Sequence, residues 1–318
     1  MRKDMPEKIL VASGGDGPER EVSLASGEAV TRGLLQGGYR AEQVLLRRGV
    51  DILEHIKEPD KTLVFIALHG DWGEDGTFQA FLEMHGMAYT GTGPQGCMIA
   101  MQKGLTKLLF EHQGIPTPEW YEWEDTEVFR EKLWIREKLQ GPGLVVKPQS
   151  CGSTVGISVV HSPEELEEAV AYARKFDPRL LLEEYIPGRE LTVAVWDGGD
   201  GAESMPIVEI RPKSGFYSYD SKYTRGATEY LAPAPLPEDT TQKIARSAVA
   251  AHRAVQAQVY SRTDLRLSPQ GEPFFLEVNT APGMTGTSLV PKAAAARGWD
   301  FPELLSRIVQ SSWRIREF

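Results

Sequence analysis

Arg262-Thr263-Asp264 and Glu277-Val278-Asn279 are the residues whose types and spacing are best suited to chemistry. Residues two apart on a strand share a face, so Arg262 is paired with Asp264, and Glu277 with Asn279. If the two strands are antiparallel neighbours across residues 265–271, two carboxylates and an amide oxygen converge beside a guanidinium. Oxygen-only ligands suit Mg²⁺, which takes few carboxylates and completes its sphere with water and phosphate oxygens. Either pair alone would pass for a solvated polar face with one salt bridge. The segment that follows, Thr280-Ala281-Pro282-Gly283-Met284-Thr285-Gly286-Thr287-Ser288, argues for a site, because it brings N–H groups and hydroxyls to the carboxylates and is poor as regular structure.

Four more segments carry polar groups in patterns that fit a ligand. Lys147 precedes Pro148-Gln149-Ser150-Cys151-Gly152-Ser153-Thr154-Val155-Gly156, a loop of small residues that can wrap N–H groups around phosphate while the lysine supplies charge. An ordinary hairpin is the equal alternative. Leu182-Glu183-Glu184-Tyr185-Ile186-Pro187-Gly188-Arg189-Glu190 suits an acidic linker between domains, or main-chain contacts to an adenine edge with Glu190 on a ribose. His69-Gly70-Asp71-Trp72-Gly73-Glu74-Asp75-Gly76 follows a buried strand and puts a histidine where open α/β sheets bind ligands. Tyr217-Ser218-Tyr219-Asp220-Ser221-Lys222-Tyr223 lies in a stretch, 213–233, long enough to close a site against water. Glu19, near a helix start, reads by itself as a dipole partner.

Short elements must hold these groups in place. Residues 9–12 and 63–68 are apolar runs suited to buried parallel strands, with a helix between them ending near Gly37-Gly38. A helix is expected over 99–114, carrying Lys103 and Lys107 one turn apart, and another within 123–140. Strands are expected at 144–147 and 180–183, flanking a helix over 163–175 capped by Ser162. The last third alternates strands (191–196, 207–210, 274–278) with helices (240–259, 302–313). The class is α/β with α+β lobes, and soft boundaries fall near 100 and 182.

Composition narrows the function. A net charge of −10 disfavours nucleic acid and anionic membranes as principal partners. The longest apolar run, 63–68, falls far short of the ~20 residues that span a bilayer, and no export segment is visible, so the chain reads as cytoplasmic. Two cysteines, Cys97 and Cys151, cannot build a disulfide scaffold or a four-cysteine zinc site. There is no Gly-Lys dipeptide for a Walker A loop, no His-Glu-x-x-His and no Gly-x-Ser-x-Gly. Gly15-Asp16-Gly17 lacks the third glycine of a dinucleotide fingerprint, which removes the main support for a nicotinamide enzyme.

Taken in chain order, these segments resemble the D-alanine–D-alanine ligases of the ATP-grasp superfamily over most of residues 8–312. The shared motifs are Gly14-Gly15…Glu19-Arg20-Glu21-Val22-Ser23, His69-Gly70…Gly73-Glu74-Asp75-Gly76, Lys147…Gly152-Ser153-Thr154-Val155-Gly156, Lys222-Tyr223, Arg262-x-Asp264 and Glu277-Val278-Asn279-Thr280-x-Pro282-Gly283-Met284-Thr285…Ser288-Leu289-Val290-Pro291. The resemblance implies an ATP-grasp fold behind an N-terminal open parallel-sheet domain: residues 1–100, a central lobe 101–182 and a C-terminal lobe 183–318 with a closing loop at 213–233. It implies ATP-dependent joining of two D-alanines through an acyl phosphate, for peptidoglycan precursors. Two Mg²⁺ ions, with Mn²⁺ as a substitute, would sit on Asp264, Glu277 and Asn279. ATP would meet Lys103, Lys147, Ser153, Glu183, Glu184, Ile186, Glu190, Phe216, Lys222 and Asn279.

By the same resemblance Glu19 takes the first ammonium within a set that includes Ser153 and Tyr223, with His69 nearby. Arg262 and the Gly283 amide stabilise the oxyanion, and Ser288 and Leu289 hold the second carboxylate. A homodimer is implied, with no nucleic-acid or membrane partner. The chain departs from the family pattern at Gln102, Cys151, Glu184 and Thr263 without losing a catalytic group. The competing assignments are a D-lactate, D-serine or other amino-acid ligase, and a non-catalytic ATP-binding sensor. Members that make the ester generally lack the tyrosine matching Tyr223, so the dipeptide is favoured, and the intact Arg262, Asp264, Glu277 and Asn279 argue against a sensor.

Overall fold

The structure is a computed structural model, and it describes residues 5–17, 19–123, 133–152, 155–213 and 226–316. Three sheets organise it. The first contains β1 (Lys8–Gly14), followed by α1 (Arg20–Gln36), β2 (Ala41–Leu46), β3 (Thr62–Ile66), α2 (Asp71–Glu74), α3 (Thr77–Met84) and β4 (Ala88–Tyr89). Its order is β2-β1-β3-β4, all parallel. Strands buried on both faces need apolar residues at every position, which is why 9–12 and 63–66 lack polar alternation. Ile9 and Val11 pack on one side with Val30 and Leu34 of α1, while Leu10 and Ala12 pack on the other with Phe78 and Leu82 of α3.

The expected helix over 99–114 is two helices, α4 (Pro94–Met101) and α5 (Lys103–His112). Gln102 breaks it with an extended backbone (φ −85°, ψ 95°). The first N–H groups of α5 are met from outside the helix, Lys103 N by the Gln149 carbonyl at 3.3 Å and Gly104 N by Gln149 Oε1 at 2.9 Å. That external cap stabilises a helix start where apolar periodicity alone predicts continuity.

The second sheet runs β5-β8-β6-β7, from β5 (Trp120–Glu122), α6 (Leu133–Gln140), β6 (Leu144–Pro148), β7 (Ser158–Val160), α7 (Pro163–Ala173) and β8 (Leu180–Glu184). β6 and β7 are antiparallel, so the loop after Lys147 lies within a hairpin. Ser162 caps α7, its hydroxyl accepting from Glu165 N at 3.2 Å.

The third sheet is antiparallel, in the order β12-β11-β9-β13-β14, with β10 paired to β9. It comprises β9 (Arg189–Asp197), β10 (Glu203–Ser204), β11 (Val208–Pro212), β12 (Thr228–Leu231), β13 (Val259–Leu267) and β14 (Pro273–Asn279), with α8 (Glu238–Ala254) between β12 and β13. Two helices, α9 (Leu289–Ala296) and α10 (Phe301–Ile315), end the chain. The stretch expected as a loop over 213–233 therefore includes a strand, because 228–231 pairs with β11; residues 214–225 lie outside the described residues. α10 packs back on the first sheet, its Leu304, Leu305 and Ile308 joining Ile9, Val30 and Phe65 in one cluster with Ala194 and Tyr260 of the third sheet. Gly33 allows this contact, since a Cβ there would lie 2.6 Å from Leu305 Cδ1. Among the described residues no helix is long and apolar enough to cross a membrane.

Leu305 is fully buried where α10 meets α1. Leu305→Ala should lower stability by about 2–5 kcal/mol, read as an earlier urea midpoint for the first unfolding transition.

Candidate active site

A cavity of about 550 Å³ opens between the first and third sheets. Eight residues anticipated from the sequence line it: Glu19, His69, Arg262, Glu277, Asn279, Gly283, Ser288 and Leu289. A smaller cavity shares Glu277, Asn279 and Gly152 with it and adds Lys103 and Cys151.

The wall on the first sheet is built from strand ends. Ser23 Oγ accepts from Gly14 N and donates to the Ala67 carbonyl, both at 2.8 Å, tying the loop after β1 to the end of β3. This fixes Glu19 at the start of α1, nearly buried. Gly70 has φ +68°, and a Cβ there would stand 2.4 Å from Glu19 Oε2, so only glycine lets the chain pass this close to the carboxylate. His69 lies between Ser26 Oγ (2.9 Å from Nε2) and Glu74 Oε1 (3.3 Å from Nδ1).

The opposite wall is the β13–β14 pair. Arg262 faces Asn279 and Asp264 faces Glu277, as the spacing predicts, although β13 runs to Leu267 and shortens the connecting turn. The Arg262 guanidinium grips Asp264 with two bonds, 2.9 Å from Nε to Oδ1 and 2.7 Å from Nη2 to Oδ2. Thr192 Oγ1 at 2.6 Å and Asn279 Nδ2 at 3.2 Å complete the surroundings of Asp264. The register skips Leu276, a bulge that turns Glu277 and Asn279 to the open side while Phe275 stays in the core.

Among the described residues no cluster of three His, Cys, Asp or Glu side chains could hold a metal by itself. Two carboxylates and an amide oxygen on neighbouring strands are instead a partial oxygen set, the kind Mg²⁺ uses when water and phosphate supply the rest. Asp264, Glu277 and Asn279 fit that ion.

Beyond the carboxylates, Gly283 lies against Ser288, with a Cβ at Gly283 falling 3.1 Å from Ser288 Oγ. Ser288 precedes α9 but does not cap it; its hydroxyl accepts instead from Thr285 N at 3.0 Å. The first N–H groups of α9 are therefore not served by a side-chain cap and point where an anion would be stabilised.

Lysines approach from α5 and from β6 of the second sheet. Lys103 Nζ donates to the Cys151 carbonyl at 2.6 Å and is 3.6 Å from Glu277 Oε2. Lys147 Nζ donates to Glu183 Oε1 at 2.8 Å, and Lys107 pairs with Glu183 Oε2. Burial alone would raise the Glu183 pKa, but Lys107 first and then Lys147 hold it below the usual carboxylate value. Burial pushes the Lys107 ammonium down to about 8 against the pull of Glu183. The Glu183 carboxylate is thus turned to the lysines. Glu184 pairs with Lys138 at 2.9 Å and Glu190 with Arg266 at 3.1 Å. Arg266 also donates to the Ile186 carbonyl at 3.0 Å, drawing the linker together.

Ser153, Phe216, Lys222 and Tyr223 lie outside the described residues. Among the polar residues of the site, the sequence named Glu74 and Lys107 without assigning them a role and did not name Arg266. Arg266 continues the alternation of Arg262 and Asp264 on β13, and that period was the available signal. Lys107 stood out only as a lysine one turn after Lys103, a spacing that does not foretell its burial.

The chain matches the family model "D-ala D-ala ligase C-terminus" over residues 109–310 and "D-ala D-ala ligase N-terminus" over residues 45–92. A D-alanine–D-alanine ligase of Pelotomaculum thermopropionicum is 40% identical over 310 residues, 96% of each chain. One from Syntrophotalea carbinolica is 43% identical over 303 residues, 95% of each. The crystal structure of the Bacillus anthracis D-alanine–D-alanine ligase complexed with ATP superposes with a TM-score of 0.83 at 32% identity, covering 98% of this chain and 99% of that one. Matched by the C-terminal family model over most of its length, and 40% and 43% identical to these two relatives across nearly the whole of each chain, the chain belongs to the D-alanine–D-alanine ligase family.

Proposed function

We propose that the chain joins two D-alanines into D-alanyl-D-alanine, with conversion of ATP to ADP and phosphate, in the supply of peptidoglycan precursors. The observation that carries this is a single cavity with Glu19 on one wall and Arg262, Glu277, Gly283 and Ser288 on the other. A carboxylate resists an amine because its leaving group would be oxide. Transfer of the γ-phosphoryl group to a carboxylate oxygen of the first D-alanine releases ADP and gives an acyl phosphate with a good leaving group. The neutral amine of the second D-alanine then attacks the carbonyl, and phosphate leaves.

In this scheme Glu19 holds the first ammonium, beside His69 and with Ser153 and Tyr223. Arg262 and the Gly283 N–H meet the oxyanion of the tetrahedral intermediate. Ser288 and the Leu289 N–H, at the start of α9, hold the carboxylate of the second D-alanine. Lys103 and Lys147 take phosphates, with Lys222 and Phe216, while the segment from Glu183 through Glu184 and Ile186 to Glu190 takes the nucleoside. Asp264, Glu277 and Asn279 would hold two Mg²⁺ ions, with Mn²⁺ as a substitute; once bound, the metal offsets the repulsion between phosphate and carboxylate. The same reading includes a homodimer, lobes divided near residues 100 and 182, closure over 213–233, and work in the cytoplasm, where two free cysteines are at home.

The deciding assay is phosphate release from Mg·ATP, with products read by mass. D-alanine alone should give release and the dipeptide, L-alanine should give neither, and D-lactate added to D-alanine should give no ester. Binding of ATP without release in any arm would mean a sensor. Asp264→Asn and Glu277→Gln should each lower turnover by roughly 10²–10³-fold or more with the melting temperature kept, and near-wild-type rates would remove the metal assignment. Gly70→Ala presses on the Glu19 carboxylate, so the KM for the first D-alanine should rise about tenfold while ATP affinity holds.

A further inference from the structure

Three charged side chains share a dry space beside the phosphate loop. Lys107 is fully buried, Glu183 is 2% exposed and the Lys147 side chain 6%. Two ammonium groups therefore flank one carboxylate, and the cluster carries one surplus positive charge when all three are ionised. Which lysine holds that surplus depends on which one is committed to Glu183.

The two lysines are fixed differently. Lys147 lies one residue before the end of β6 and has Glu183 as its side-chain partner at 2.8 Å. Lys107 is anchored on both sides. It pairs with Glu183 on β8 and donates to Thr117 Oγ1 at 2.7 Å, and the Thr117 hydroxyl in turn donates to the Phe275 carbonyl at 2.8 Å. Phe275 lies on β14, two residues before Glu277. Lys107 is thus locked between the second and third sheets, while Lys147 stands at the mouth of the loop after Pro148.

We propose that Lys107 is a positioning residue for nucleotide binding: by neutralising the buried Glu183 carboxylate, it leaves the Lys147 charge for a phosphate. This rests on the ATP-dependent reading above. Without Lys107, Glu183 would have Lys147 as its one cationic partner. A buried carboxylate stripped of its partner is strongly unfavourable, so Lys147 would be held to it and the cluster would be neutral. Lys107 does not touch substrate in this account; it acts through Glu183.

The test is calorimetric titration of the full chain with Mg·ATP, alongside the KM for D-alanine. Lys107→Met should weaken Mg·ATP binding about tenfold or more, the size expected when a buried charge-assisted contact is lost. The KM for D-alanine should stay within about twofold. Glu183→Gln removes the charge that Lys107 serves, so Lys107→Met/Glu183→Gln should bind Mg·ATP as Glu183→Gln does, which a merely structural lysine would not produce. Wild-type affinity in Lys107→Met, or a double variant still tenfold weaker than Glu183→Gln, would overturn the proposal. If Lys107→Met alone fails to fold, the comparison of Glu183→Gln with the double variant decides. Failure of the unsubstituted chain to bind Mg·ATP would instead remove the ATP-dependent reading and this proposal with it.

Discussion

The antiparallel pairing of β13 with β14 forces Asp264 and Glu277 opposite each other, and much of the site follows from how that crowding is relieved. Directly opposed residues in such a pair have Cα atoms roughly 4.5–5.5 Å apart, and like charges there repel. Arg262 answers with a two-bond grip on Asp264, and Lys103 stands 3.6 Å from Glu277. Asn279 contributes a neutral donor to Asp264 from the facing strand. The arrangement keeps two hard carboxylates close, with a cation beside each. That is the condition a divalent cation and a phosphate need, and it is set by the sheet rather than by a flexible loop.

A site shared by three sheets also needs those sheets held at fixed spacing. The hydrophobic contacts do part of this: α10 closes on the first sheet and joins its core to residues of the third. Polar ties do the rest at the points nearest the chemistry. Lys107 and Thr117 link β8 to β14, Gln149 caps α5, and Arg266 draws Ile186 and Glu190 toward β13. Arg316, beyond the end of α10, donates to the Gly91 carbonyl at 2.9 Å and lies over the Tyr89 ring. Such bonds are directional, so they fix angles that apolar packing leaves loose.

What was legible in the sequence follows the range of the interaction responsible. β1 and β3 could be read because a strand buried on both faces is apolar along nearly all its length, and β6 and β8 because each opens with an apolar run (144–146 and 180–182). The pairing of the 262–264 and 277–279 segments could be read because one short turn joins them. The break at Gln102 could not, since its cause is Gln149, distant in sequence and just past the end of β6. Strict alternation would place Phe275 on the same face as Glu277; the bulge at Leu276 reverses it, and only the partner strand determines that. The same holds for Lys107, whose burial depends on Glu183 waiting for it in another sheet.

The departures from the family pattern show which contacts depend on side-chain identity. Cys151 stands in the loop between β6 and β7, where an acidic or small residue is common, yet what it gives Lys103 is its carbonyl. Any residue at that position offers the same oxygen, so the thiol changes the neighbourhood without changing the contact. Glu184 stands where a lysine is common and has its own cation in Lys138, which keeps an ammonium in the neighbourhood. Gln102 supplies an extended backbone and the carbonyl that accepts from Thr106 N at 2.9 Å, neither of which requires a carboxylate. Gln102 and Cys151 thus work through their main chain, and Glu184 carries a compensating partner. Glu19, Arg262, Asp264 and Glu277, which keep the family residue, are charged side chains, and no main-chain group could replace that charge.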